Sequence, residues 1–481
     1  MTPACCSRRS LLRAGAGAAL LGAAGPLARR AAFATEQPRY HIVAAPGRWP
    51  LAGPRYPESD VWAFGGTVPG PLIRAKQGAR LSVLVENRLG EPTTVHWHGL
   101  RVPNAMDGVP DLTQKPIGRG ESFLYEFEVP DAGTYWYHPH YRSFEQVGRG
   151  LAGALIVEER APPAVDRDLV WVLDDWRLRR DASISDDFGN LHDVMLNGRI
   201  GNTVTVNGAV PEQVAVRAGE RLRLRLVNVA NARIFGLEFT GHRPLVLALD
   251  GQPVEPHEPP GGRIVVGPGM RVDLILDLSG RPGERFAVND MFYRGLEYRL
   301  LDLVYGSEPP LRGHQPEPIA ALARNTMPEP DIAGAERHDV VFSGGMMSGM
   351  MGGMMGGMMG GRRMEMRGMT ARGMAWAING VAGGGHNLAP LLTLRRGRTY
   401  VLALNNDTAW HHPIHLHGHA FRVVARNGGP TRYREWQDTV LVAPSERVDI
   451  AFVADNPGDW MFHCHILEHQ EGGMMSVFRV V

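Results

Sequence analysis

An internal repeat constrains the fold more than any other feature. Three segments share one frame: "GARLSVLVEN" from Gly78 to Asn87, "GERLRLRLVN" from Gly219 to Asn228, and "GRTYVLALNN" from Gly397 to Asn406. In each, a glycine turn feeds an alternating apolar run, which predicts a β-strand, and recurrence of the frame predicts three copies of one β unit. A second frame follows in each copy: "GTYWYHPH" (Gly133 to His140), "GERFAVND" (Gly283 to Asp290) and "GDWMFHCH" (Gly458 to His465). Nine residues after the repeat asparagine stands "HWHG" in the first copy (His96, His98) and "HLHG" in the third (His415, His417), whereas the second has Leu237 and Phe239. The chain therefore reads as all-β, with three sandwich domains of which the outer two carry paired histidines.

Charge is nearly balanced, with 51 basic and 50 acidic residues and no basic run, which argues against a nucleic-acid or anionic-lipid partner. The first 34 residues read as an address. Arg8 and Arg9 precede an Ala/Gly/Leu stretch that ends in Ala32-x-Ala34, a pattern resembling a twin-arginine export signal. The apolar part falls short of a membrane span, so no anchor is expected in the mature chain, which starts near Thr35 in a periplasmic or extracellular space. Cys5 and Cys6 leave with the signal. Cys464 is then a single cysteine in a compartment that favours disulfides, either buried and inert or held as a metal thiolate.

Side chains alternate across a strand, so His-x-His places both imidazoles on one face. One such pair carries little information, but four at matching positions in two repeats (His96/His98, His138/His140, His415/His417 and His463/His465) predict eight imidazoles converging on a domain interface, a set suited to copper. Between His463 and His465, Cys464 must point to the opposite face and serve a separate site. His412, His469 and Met474 can complete that site as two imidazoles and a weak thioether beside the thiolate, the set that selects copper for electron transfer.

With these motifs the chain resembles a three-domain multicopper oxidase over nearly all of its mature length. The resemblance implies three cupredoxin-like Greek-key β-sandwich domains, at 35–160, 161–310 (without copper ligands) and 311–481. It implies four copper ions: a type 1 copper on His412, Cys464, His469 and Met474, and a type 2 copper on His96 and His415. One type 3 copper would take His98, His138 and His463, and the other His140, His417 and His465. Dioxygen would be reduced to water, with Cys464, His463 and His465 linking the two sites and Asp107 relaying protons. Gln470 stands where many bacterial relatives have an ionisable Glu, so proton delivery is expected through Glu468, Glu471 or water.

Twelve of the 21 methionines fall between Met346 and Met374, in a Gly/Met low-complexity run inserted early in the third domain. Thioethers favour Cu(I). Met346, Met350, Met354, Met358, Met364 and Met366, with Glu365 and Asp407, are candidate ligands for a Cu(I) substrate. Thr408 and Trp410 occupy positions where cuprous oxidases place Asp and Met, and Trp410 could equally edge a pocket for phenols. The expectation is an exported, monomeric oxidase of Cu(I) and phenolic compounds serving copper tolerance. The alternatives are a laccase-like phenol oxidase without a Cu(I) role, or a non-catalytic copper-storage protein.

Overall fold

The computed structural model describes residues 40–313, 317–346, 374–384 and 389–481. The export segment and most of the Met-rich run lie outside them. The described residues fall within one compact unit, and their strands fall into three pairs of sheets.

The repeat segments occupy equivalent places. Arg80–Asn87 lies parallel to Tyr40–Trp49 and antiparallel to Ser122–Glu128. Arg221–Asn228 has the same relation to Arg167–Trp176 and Arg271–Asp277, as does Thr399–Asn406 to Glu336–Gly344 and Arg447–Val453. Both ends of the frame have a physical reason. The leading glycines sit at φ of 80°, 75° and 77°, which a Cβ disfavours. The closing asparagines are buried and knot the chain: Oδ1 of Asn87, Asn228 and Asn406 accepts the backbone N–H two residues on, at 2.9, 3.0 and 3.1 Å. Their Nδ2 groups donate to carbonyls of the following loop. Local side-chain bonding of this kind ends the strand and starts the turn that aims the next segment.

The second sheet of each outer domain carries the histidines. In the first, Gly133–His138 lies between His96–His98 and Gly153–Glu158. In the third, Gly458–Cys464 lies between His412–Leu416 and Met475–Val480. In the middle domain Leu237 and Phe239 pack into an apolar core instead.

The middle strand Arg221–Asn228 is buried along its whole length. Its leucines fill its own core, while the alternate arginines bond acidic partners and reach the first domain. Arg225 holds Asp168 and donates to Thr134, and Arg223 holds Glu159 and Asp273. Buried charges are tolerated when paired in this way. Among the described residues no helix is long and apolar enough to cross a membrane.

Candidate metal centres

Register decides where Cys464 points. Across the strand pair Cys464 faces Ile414 and His463 faces His415, so the thiol enters the third domain's core and the imidazoles leave on the other side. Its Sγ lies 3.5 Å from His412 Nδ1 and 3.8 Å from His469 Nδ1, and the two nitrogens are 3.2 Å apart. The short helix Leu467–Glu471 carries His469. Met474 is fully buried in the same cluster, its N–H donating to the His469 carbonyl and its carbonyl accepting from Cys464.

The outer nitrogens fix the tautomers. His469 Nε2 donates to the Leu196 carbonyl at 2.7 Å. The Thr408 hydroxyl donates to Asn406, so at 2.8 Å it accepts from His412 Nε2. Both Nδ1 atoms therefore present lone pairs toward the sulfur. Burial drives His412 well below the usual imidazole range and His469 down to about 3, and pushes the Cys464 thiol up. Two lone pairs meeting beside a thiol repel each other until a cation sits between them. Two imidazoles, a thiolate and a nearby thioether fit copper. Trp376 roofs this site, packing on His469 and His412 while its Nε1 donates to the Val194 carbonyl.

On the opposite face, the His-x-His strands of the first and third domains meet head to tail. His96 stacks on His417 with centroids 3.9 Å apart, and His98 on His415 at 3.8 Å. Around them the ligand atoms gather into His96/His98/His415, His98/His138/His465 and His140/His417/His463. All eight residues are buried.

One expected pairing is corrected here. His463, not His465, joins His140 and His417, its Nε2 lying 3.1 Å from His417 Nε2, while His465 joins His98 and His138. Antiparallel register is the reason. His463 stands opposite His415, which places it diagonally beside His417, whereas the His465 N–H bonds the Pro413 carbonyl at the far end of the pair and its ring crosses to the first domain.

The unpaired atoms test the fit to metal. His96, His138, His415, His417 and His463 each donate Nδ1 to a carbonyl or carboxylate oxygen. Nε2 of His96, His138, His140 and His415, Nδ1 of His98 and both nitrogens of His465 are buried without any partner. Buried polar atoms are rarely left so, and these converge, as copper ligands would. Together the two ligand sets fit four copper ions.

Acids orient the imidazoles. Asp107 is fully buried and accepts His417 Nδ1 at 2.8 Å, while its backbone carbonyl accepts His96 Nδ1, so one residue holds a histidine from each domain. Asp107 also opens a tight turn: Gly108 sits at φ 82°, and a Cβ there would lie 1.9 Å from the Val95 carbonyl oxygen.

Sequence reasoning missed a second acid. The Asp438 carbonyl accepts His415 Nδ1, and its carboxylate lies 3.2 Å from His98 Nε2. Arg271 of the middle domain binds that carboxylate through both Nη atoms, and Asp250 accepts the N–H groups of Arg271 and Thr439. Against the upward push of burial, the Arg271 charge holds Asp438 well below the usual carboxylate range, while burial and the neighbouring Asp438 raise Asp250 to about 7.

The other candidates are placed as follows. Glu468 is committed, accepting from the Arg199 N–H and from Asn231 Nδ2. Gln470 and Glu471 line a cleft that reaches His140. Trp410 packs against the third domain's core. Asp407 is exposed, and the Met346 N–H bonds the Met195 carbonyl. Met350, Met354, Met358, Met364, Glu365 and Met366 lie outside the described residues.

Comparison with known proteins agrees with this geometry. Multicopper oxidase family models match residues 50–162, 167–299 and 362–481. Multicopper oxidase MmcO of Mycobacterium tuberculosis is 32% identical, the match covering 94% of this chain and 88% of that protein. The crystal structure of a multicopper oxidase from Pseudomonas thermotolerans superposes with a TM-score of 0.78 at 33% identity, covering 92% of this chain and 98% of that one. A metallo-oxidase from Campylobacter jejuni superposes with a TM-score of 0.75 at 27% identity, covering 93% of each. A buried cysteine set one strand face away from eight interlocked imidazoles, in a chain matched at this level along nearly its whole length, places the protein in the multicopper oxidase family.

Proposed function

We propose that the chain is an exported oxidase that takes electrons from Cu(I) and from phenolic compounds and passes them to dioxygen, with copper tolerance as its role. One observation carries the reading: Cys464 belongs to one ligand set, while the residues bonded to it on either side belong to the other. When bound, copper supplies one-electron transfer and the four-electron reduction of dioxygen to water. In this reading His412, Cys464, His469 and Met474 hold the type 1 ion and His96 and His415 the type 2 ion. His98, His138 and His465 hold one type 3 ion, and His140, His417 and His463 the other. Domain limits near residues 160 and 310 and a mature start near Thr35 belong to the same proposal.

The residues around the ligands divide the remaining work. Asp107 stands at the cluster as proton carrier and orients His417. Thr408 and the Leu196 carbonyl hold the type 1 imidazoles in the tautomer that leaves Nδ1 free, and Trp376 keeps water from the thiolate.

Two observations bear on the donor. The Met-rich run and the Campylobacter jejuni relative's description as a metallo-oxidase support Cu(I). A cleft of about 730 Å³ lined by His411, Phe292, His257 and Tyr433 supports aromatic donors, because His411 adjoins the ligand His412 and its ring meets Phe292 edge-on. The test is oxygen uptake with Cu(I) and with a bulky phenol, for the full chain and for one lacking residues 347–373. Loss of Cu(I) oxidation with phenol oxidation retained is the expected result. Unchanged Cu(I) turnover would remove the Met run from the mechanism, and no uptake with either donor would favour a storage protein.

A further inference from the structure

A cleft of about 320 Å³ opens beside the histidine cluster and reaches His140. Three methionines from separate segments, Met374, Met461 and Met475, line it together with Gln470. Strand register puts two of them on the cluster's face: Met475 stands opposite His463, and Met461 lies two residues before it. Glycines make room for the thioethers. A Cβ on Gly384 would lie 2.1 Å from Met374 Cε, one on Gly383 2.7 Å from Met475 Cγ, and one on Gly473 3.3 Å from Met374 Sδ. At the inner end, His140 Nε2 and Gln470 Oε1 are buried without a partner. Among the described residues of the wall the one cation, Arg142, is paired with Glu91 and Glu145.

Three thioethers leading to an imidazole lone pair form a graded path for a soft monovalent ion. We propose that this cleft admits Cu(I) to the cluster during copper loading. The ion is held first by Met374, Met461 and Met475 and then passes by ligand exchange to His140 Nε2. No electron moves: thioether ligands are exchanged for the buried, unpartnered imidazole nitrogen. The proposal rests on the chain's copper content and not on Cu(I) being a substrate, and it invokes no residue between 347 and 373.

The test uses Ag(I), a redox-inert ion of the same charge and softness, together with reconstitution of the metal-free full-length chain. Crystals of the copper-loaded chain soaked in Ag(I) are expected to show an anomalous peak among the cleft methionines. In anaerobic reconstitution, M374L/M461L/M475L is expected to take up Cu(I) roughly tenfold more slowly than the parent, the scale on which groups next to ligands alter metal binding. Its Cu(II) uptake and final copper content are expected to be unchanged, since Met to Leu conserves volume. M374L alone, at a half-buried position, is expected to slow Cu(I) uptake and reports if the triple variant folds poorly. An empty cleft in the silver-soaked crystals would overturn the proposal, as would Cu(I) uptake as fast in the variants as in the parent. Equal slowing with Cu(I) and Cu(II) would overturn it too, by marking a structural role.

Discussion

Removing copper should convert the buried histidines into an acid trigger. Eight of them, His98, His138, His140, His412, His417, His463, His465 and His469, are held well below the unfolded imidazole value of 6.5, chiefly by burial. A group whose folded pKa is depressed contributes stability above its unfolded pKa and loses it as pH falls, because the unfolded chain takes up protons that the folded one refuses. Between pH 7.5 and 5.5 that linkage comes to about 1 kcal/mol per histidine, and on the order of 10 kcal/mol for eight. The whole stability of a domain is typically about 5–15 kcal/mol. The metal-free chain should therefore unfold, or open its domain interface, within this window. The copper-loaded chain should hold, because its lone pairs are occupied. The assay is urea unfolding of both forms at the two pH values, followed by tryptophan fluorescence. A metal-free chain that lost less than about 2 kcal/mol would show that the imidazoles are solvated or already protonated in the fold, and would refute the reasoning.

Three further outcomes are expected. Arg271→Met leaves Asp438 and Asp250 buried without their counter-charge and should destabilise the chain by about 3–5 kcal/mol, measured by chemical unfolding with copper bound. Thr408→Val leaves the His412 Nε2–H unpartnered, which should cost about 1–3 kcal/mol and shift the type 1 reduction potential while copper content stays the same. Asp107→Asn should slow dioxygen reduction by roughly 10²–10⁴-fold, the range for a positioned proton carrier, while anaerobic reduction of the type 1 site by one equivalent of donor keeps its rate.

Much of this architecture was legible in the sequence because it repeats. The Gly-to-Asn frame gave three strands in equivalent places, and the asparagine proved to have one physical job in all three. Strict alternation placed Cys464 opposite His463 and His465. The type 3 pairing was misread although a signal existed. The repeats relate His98 to His417, His138 to His463 and His140 to His465, so a twofold exchange must turn one ligand triad into the other. His98/His138/His465 and His140/His417/His463 satisfy that exchange, and the expected sets did not.

Other parts were not legible. Leu196 and Val194 act through backbone carbonyls, which carry no residue signature. The Asp250, Arg271 and Asp438 network joins residues up to 188 apart. A middle domain without ligands gave no reason to look there, yet it caps one site and orients the other.

The central claim is that one strand, through Cys464 and its two neighbours, joins two copper sites into a single oxidase. Copper content and oxygen uptake of the full chain and of Cys464→Ser, measured side by side, test it most directly. The account predicts four coppers per chain with dioxygen consumed to water, and three coppers with no uptake for the variant. Four coppers retained in Cys464→Ser, or uptake that persists without the thiolate, would contradict it.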